Sequence, residues 1–338
     1  MQRRLFLQSS SAAAVLALTG CGGGGGGADL GTAAVAADPQ SVTPARAPAQ
    51  EVAVTQPAAV AASSALPAKI LACYYTTWDT GTYKLSDVPS EFNVIYLFHA
   101  KPQGTPVNGS YNNVGDGSFF FEHYDAIPAE MVQTVRQRGQ RVILTVGGAQ
   151  AGFAFDNRSK SENFLASVKT MYTRLGGFDG IDFNNYEATI VSAANVVAVT
   201  TELVWISQQL KATYGSDFAI TSPPQPNDPL QQTMMAALAR FGVLDYAGPQ
   251  YYDWSGFNAP GFISKRTDTW VDVLGDAKKA VVGMSANYSN GPSMDDCLRE
   301  WDALVKKHPD IRGAFCWSAQ TQLAGGNAWA KEMKKRLG

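Results

Sequence analysis

The residues best suited to chemistry gather first in Phe178-Asp179-Gly180-Ile181-Asp182-Phe183-Asn184-Asn185-Tyr186-Glu187. Three carboxylates and two amides follow one another there at the end of a short apolar run. A carboxyl group placed beside a polar partner can give a proton to a leaving oxygen or take one from water. The second gathering is aromatic. Tyr74, Tyr75 and Trp78 close one β-rich run, Gln250, Tyr252, Asp253 and Trp254 close another, and Trp317 closes a third. Tyr and Trp present broad apolar faces with a polar edge. A cup of such rings with acids among them suits pyranose rings, whose C–H faces stack on aromatic surfaces.

Those residues need a scaffold that brings distant run ends together. From Lys69 onward, short apolar runs alternate with longer amphipathic ones. The expected strands are Ile70–Tyr75, Asn93–Phe98, Arg141–Val146, Gly180–Asn184, Phe218–Ser222, Tyr246–Tyr252, Ala280–Met284 and Gly313–Trp317. Their apolar character is continuous rather than alternating, as parallel strands buried on both faces require. Helices are expected between them. One is capped by Ser161, with Phe164, Val168, Met171 and Leu175 on one face, and others cover 194–214, 231–241 and 293–307. Eight such alternations predict an α/β fold, a (β/α)8 TIM barrel, whose functional residues sit at the C-terminal strand ends. A doubly wound sheet is the rival architecture, but no GxGxxG or phosphate loop follows the first strand.

Composition narrows the function classes. The 338 residues are 45% hydrophobic and 17% charged, and 27 Lys+Arg stand against 29 Asp+Glu, a formal net charge of -2. That balance gives no electrostatic footprint for nucleic acid. Three His and four Cys without CxxC or HExxH predict no metal site. The N-terminus reads as an address. Arg3 and Arg4 precede the apolar run Ser11–Leu18, which predicts an export signal over 1–20. Leu18-Thr19-Gly20-Cys21 resembles a bacterial lipobox, and Arg3-Arg4-Leu5-Phe6-Leu7 resembles a twin-arginine signal. The reading is an exported, membrane-anchored lipoprotein, lipidated at Cys21 and held at the outer membrane, in the periplasm or at the cell surface. Residues 21–67, rich in Gly, Ala and Pro, carry no amphipathic period and read as a tether with a reach of roughly 35–40 Å. Residues 68–338 form the barrel. Cys73 and Cys316 would be neighbours on the first and last strands. With Cys297 the number is odd, which favours three small buried hydrophobes over a disulfide.

Four segments in register resemble glycoside hydrolase family 18, the chitinases and endo-β-N-acetylglucosaminidases. Phe178-Asp179-Gly180-Ile181-Asp182-Phe183 resembles the start of the family's strand-four DGxDxDxE motif. Thr145-Val146-Gly147-Gly148 is similar to its strand-three SxGG, Gln250-Tyr251-Tyr252-Asp253 to its strand-six (M/Q)xYD, and Gly313-Ala314-Phe315-Cys316-Trp317 to its strand-eight Trp segment. The resemblance covers Lys69 to Gly338. It implies substrate-assisted retention, an exception to the two-carboxylate scheme. One acid protonates the glycosidic oxygen, the substrate's 2-acetamido oxygen attacks the anomeric carbon, and water opens the oxazolinium ion.

The chain departs from the motif where the acid should stand. The third Asp is replaced by Asn184 and the Glu by Tyr186, and the nearby acid, Glu187, comes one residue late. Side chains alternate along a strand, so a one-residue slip turns Glu187 away from the interior. A β-bulge between Asp182 and Asn185 would turn Asn185 and Glu187 inward together. A straight strand would instead place Tyr186 in the acid's seat and leave a sugar-binding barrel without hydrolysis. On the first reading the resemblance implies that Glu187 is the acid/base, that Asn185 orients the acetamide with Asn184 as second candidate, and that Asp182 supports the pair. It gives Tyr252 and Asp253 the acetamido oxygen and makes Trp317 the floor. Tyr75, Trp78, Gln250 and Trp254 complete the cup. Asp179 is expected to be structural, His99 a satisfied polar residue, Gln225 a loop residue near the cup, and Asp116, Glu122 and Asp125 solvated loop charges. No metal or cofactor is implied. The expected partner is a GlcNAc-containing oligo- or polysaccharide, met by a monomer.

Overall fold

Alternation along the strands decides which side chains reach the centre, and the apolar runs supply both faces. The computed structural model describes residues 65–184, 190–286, 288 and 291–338. The expected signal over 1–20, Cys21, nearly all of the expected tether, and Asn185, Tyr186 and Glu187 lie outside the described residues.

Among the described residues, eight parallel strands form the barrel: β1 Ile70–Thr76, β2 Val94–Pro102, β3 Arg141–Gly147, β4 Gly180–Asn184, β5 Ala219–Ser222, β6 Tyr246–Ala247, β7 Val281–Gly283 and β8 Gly313–Trp317. They pair in the order β6-β5-β4-β3-β2-β1-β8-β7. Parallel bridges Ala247↔Ala280 and Gln250↔Gly283 bring β6 and β7 together, so the ring is nearly closed. Helices α1 Ala129–Gln137, α2 Arg158–Arg174, α3 Val196–Tyr214, α4 Pro229–Arg240, α5 Phe262–Leu274, α6 Met294–Lys307, α7 Ala319–Ala324 and α8 Ala328–Leu337 complete the fold. This is the expected (β/α)8 barrel.

One set of alternate residues, including Leu71, Cys73, Leu97, Leu144, Ile181 and Cys316, packs against the helices. The other, including Tyr74, Tyr96, Phe98, Tyr246 and Phe315, fills the interior. Cys73 and Cys316 are register partners on neighbouring strands, and they and Cys297 are buried, free thiols. The charged pair at the barrel base is structural. Asp179, just before β4, accepts the N–H of Val142 at 2.9 Å and pairs with Arg136 of α1 at 2.9 Å. It thereby ties β3, β4 and the first helix together.

Two element bounds differ from expectation for identifiable reasons. The sixth strand, expected over 246–252, is a regular strand only at Tyr246–Ala247, with an isolated bridge at Gln250 beyond it. Pro249 has no N–H to give a ladder, and a Cβ at Gly248 would stand 2.7 Å from the Phe315 ring. Helix α2 is capped by Asn157, whose side chain accepts from Lys160 N at 3.1 Å. Ser161, expected as the cap, lies within the helix and donates to Glu202 at 2.8 Å.

One irregularity bears on the site. Leu97 pairs with Leu144 and Ala100 with Val146, so β2 spends three steps where β3 spends two. The extra residue is a bulge at Phe98-His99. Bulges re-aim side chains and concentrate beside functional sites. By contrast, β4 pairs regularly with β3 from Gly180 to Asn184.

Candidate functional site

The site is built around one buried carboxyl. On β4, Ile181 and Phe183 face the helices, so Asp182 between them faces the interior, where it is almost wholly shielded from water. An isolated buried carboxylate costs several kcal/mol or more unless it is hydrogen-bonded. Three hydroxyls meet it here. Tyr74 donates at 2.8 Å and Thr145 at 3.1 Å to Oδ2, and Thr221 donates at 2.7 Å to Oδ1. Thr145 and Thr221 are its register partners on the flanking strands, so the ladder itself puts a donor on each side. Burial still outweighs these bonds and lifts the carboxyl's pKa to about 6, with the hydroxyls of Thr221, Tyr74 and Thr145 pulling it down.

Aromatic rings wall this carboxyl. Tyr74 stacks on Tyr96 at 4.5 Å and lies 5.6 Å from Trp317, and Phe98 meets Trp317 edge-on at 4.8 Å. Tyr96 and Tyr246 join hydroxyls at 2.5 Å below them. Tyr252, after β6, is buried and donates to Gln250 Oε1 at 3.1 Å, while Gln250 Nε2 donates to Pro223 O at 2.7 Å. Burial, with the Asp253 charge next in weight, holds the Tyr252 phenol well above its ordinary pKa, so it stays a neutral donor. Two exposed rings stand on the loops that leave the strand ends, Trp78 after β1 and Trp254 after β6, at 54% and 53% exposure.

The structure thus brings Asp182, Trp317, Tyr252 and Gln250 to one end of the barrel. Asn184 ends β4 on the alternation that Asp182 begins, and its carbonyl accepts from Gly148 N at 2.6 Å. Asp253 is exposed, with a left-handed φ of 70°. Tyr75 is a correction. Its neighbour Tyr74 takes the inward position, and Tyr75 is fully buried among the helix-facing residues with its hydroxyl on Tyr83 O at 2.8 Å. No sugar reaches it there. Glu122 is an exposed loop charge as expected, and it pairs there with Lys101. Glu187 and Asn185 lie outside the described residues. Because β4 is regular through Asn184, the bulge expected between Asp182 and Asn185 has no place before Asn184.

Thr145 and Thr221 join the site without having been singled out, and Tyr74, one of the expected cup aromatics, is the one that touches the carboxyl. Their signal was phase: each shares the interior face of its strand, but which face is interior emerges only once the strands are paired. A groove of about 490 Å³ lies elsewhere, on the outer helical layer, lined by Val196, Val204, Trp205 and Phe241. It is mostly apolar, and Arg158 is the one charged side chain in its lining among the described residues. The chemistry therefore belongs to the barrel end and not to this outer groove.

No protein-family model matches the chain. A chitinase of Paenibacillus xylanexedens is 25% identical over 193 residues, which are 54% of this chain and 33% of that chitinase. The match therefore spans about a third of that relative's length. Among solved structures, a family 18 chitinase from Chromobacterium violaceum superposes with a TM-score of 0.66 at 18% identity, covering 81% of this chain and 85% of that one. A fungal endo-β-N-acetylglucosaminidase of family 18 gives 0.61 at 19% identity, covering 80% and 98%. The chain shares the barrel of glycoside hydrolase family 18.

The raised pKa of Asp182 has a signed consequence. A carboxyl that titrates at about 6 in the fold and at 3.8 when unfolded stabilises the protein below pH ~4 and loses that contribution as pH rises through 6. Asp182→Asn keeps the volume and removes the titration. Thermal melts should therefore show the parent losing ground to the variant between pH 4 and 7. A melting difference that stays constant across that window contradicts the assignment.

Proposed function

We propose that this protein is a glycoside hydrolase acting on β-1,4-linked N-acetylglucosamine glycans, of the chitinase or endo-β-N-acetylglucosaminidase type. The observation that carries the reading is the cup itself: a buried, hydrogen-bonded carboxyl at a barrel strand end, walled by Tyr74, Phe98 and Trp317 and faced by Tyr252. An aromatic floor positions a pyranose ring. A neutral phenol at Tyr252, turning its one proton away from Gln250 Oε1, can donate it to an acetamido oxygen and hold that oxygen for attack on the anomeric carbon. Glu187 then protonates the glycosidic oxygen as the C–O bond breaks, and the acetamido oxygen closes an oxazolinium ring. Asn185, with Asn184 as second candidate, orients the acetamide through its N–H. Water, deprotonated by the same Glu187, opens the ring and restores both groups. Asp182 supplies negative potential beneath the developing positive charge. Asp253, Trp78 and Trp254 contact sugars further along the chain. This chemistry calls for no metal or cofactor, and the protein works as a monomer.

A second reading has an observation of its own. Pairing of β4 is regular through Asn184, and the same regularity carried two residues on would seat Tyr186 where the acid belongs. The protein would then capture the same glycans without cleaving them.

One variant separates the two. Glu187→Gln should lower turnover of a chromogenic GlcNAc dimer by a factor of about 10² or more, as loss of a general acid does. Unchanged turnover refutes Glu187 as the acid. Binding of the dimer without turnover by the parent establishes the second reading.

We propose also that the chain is exported and lipidated at Cys21, with residues 22–67 as the tether that holds the cup off an outer-membrane or cell surface. Among the described residues, no helix is long and apolar enough to cross a membrane; in this reading the anchor is the lipid on Cys21. Cys21→Ser should move the protein from the membrane pellet to the soluble fraction. An unmoved distribution sinks the anchor.

A further inference from the structure

The two ends of the barrel differ in charge, which the net value of -2 conceals. Helices α1 to α6 each end a few residues before the next strand begins, so helix C-termini and strand starts share one end, the base, opposite the cup. Lys334 and Lys335 share a groove with Glu91, just before β2, which puts the end of α8 there too. Cations suit the last turn of a helix, where the carbonyl ends of its dipoles gather. Here they recur around the whole base: Arg174 on α2, Arg240 on α4, Lys278 before β7, Lys306 on α6 and Lys334 on α8 are all exposed. With Arg138, Lys307 and Lys335, eight exposed cations meet four exposed acids, Asp217, Asp272, Asp276 and Asp310. Lys307 and Lys335 pair with Asp268 and Glu332, whereas Arg240, Lys278, Lys306 and Lys334 have no acidic partner among the described residues. The loops at the other end expose Asp79, Asp116 and Asp253 around the cup. The chain also enters at the base. Arg141 Nε donates to Ala65 O at 3.0 Å, Lys69 Nζ donates to Ile311 O at 2.8 Å, and Leu66 packs against the interior cluster. The segment that leads back to Cys21 is therefore joined to the barrel at its basic end.

We propose that the basic base of this barrel is a docking surface for an anionic lipid headgroup layer, which turns the cup and its acidic loops away from the membrane. The inference rests on the anchored reading above and deepens it: the lipid on Cys21 keeps the chain near the membrane, and the base sets its orientation. Two observations select a lipid surface as the partner. The cations sit on four different helices and before β7, spread over one broad end, which matches a plane of negative charge and not the narrow track of a nucleic-acid strand. The segment that carries the proposed anchor joins the barrel at that same end, so the anchored chain presents these cations to the headgroups at little cost in tether entropy. Each Lys or Arg near an anionic bilayer is attracted over a range of about 10 Å. The acids at the mouth are repelled by the same surface, so both ends favour one attitude. The cup then opens toward glycans beyond the membrane and not toward its own lipid headgroups.

The test uses the full chain with Cys21→Ser, so that no acyl chain contributes, and vesicles of phosphatidylcholine with or without phosphatidylglycerol. At low salt, partition should favour the anionic vesicles by about a hundredfold and fall as salt is added. The triple variant Lys278→Gln, Lys306→Gln, Lys334→Gln should lose that preference, at about fivefold per cation, while Lys265→Gln on the first turn of α5, at the mouth, keeps it. With anionic vesicles present, a water-soluble acetylating reagent should label Lys265 and spare Lys278, Lys306 and Lys334. Equal partition to both vesicles, or a triple variant that partitions like its parent, refutes the docking surface. If Cys21→Ser leaves the protein in the cellular membrane pellet, the lipid anchor falls, and the vesicle preference still decides the base by itself.

Discussion

Everything at the functional end of this barrel depends on keeping one carboxyl group out of water. Asp182 sits in a space otherwise filled by Tyr74, Tyr96, Phe98, Tyr246 and Phe315. Without partners it would unfold the barrel or attract water to its centre. The hydroxyls of Tyr74, Thr145 and Thr221 make it tolerable, and two of them are delivered by the strands that flank β4. The same arrangement sets the electrostatics of the cup: a group that shifts between neutral and charged near pH 6, with phenols around it that remain protonated. A site of this kind favours a cation that forms transiently, which is what an oxazolinium ion is.

The second constraint is the phase of the strands. A parallel barrel gives each strand one interior face, and a single inserted residue exchanges the faces from that point on. In β2 that exchange has happened, at Phe98-His99, and it adds a ring and a nitrogen to the rim. In β4 the pairing holds its phase through Asn184. The two strands show how the same fold can gain or lose a site residue through one step of backbone. Gly148 makes the gain possible, since no side chain fits there, where the chain after β3 closes on the displaced rings.

Much of this was readable from residue order. The runs Gly180–Asn184 and Gly313–Trp317 are strands with those very ends, because each is a short apolar run between clear breakers. Asp179 reads as structural and is so, as the partner of Arg136. What could not be read depends on pairing across the chain. In Cys73-Tyr74-Tyr75-Thr76 both aromatics suit a cup, and only the match of Tyr74 with Trp317 and Asp182 decides between them. The β2 bulge hides in Leu97-Phe98-His99-Ala100, where four largely apolar residues mask a change of face. Thr145 and Thr221 lie 37 and 39 residues from Asp182 in sequence, so their convergence on it required the register. The cap of α2 was misplaced for a local reason, since Asn157 and Ser161 both have capping side chains and the earlier one takes the role.

In the proposed reaction the substrate's own acetamide attacks from within this cup, which fixes the stereochemistry of the first product. Proton NMR of the newly formed reducing end, recorded within the first minutes of cleavage of a β-linked chitooligosaccharide, reads it directly. Retention predicts the β-anomer first, with the α-anomer growing in only by mutarotation. An initial α-anomer would contradict the account.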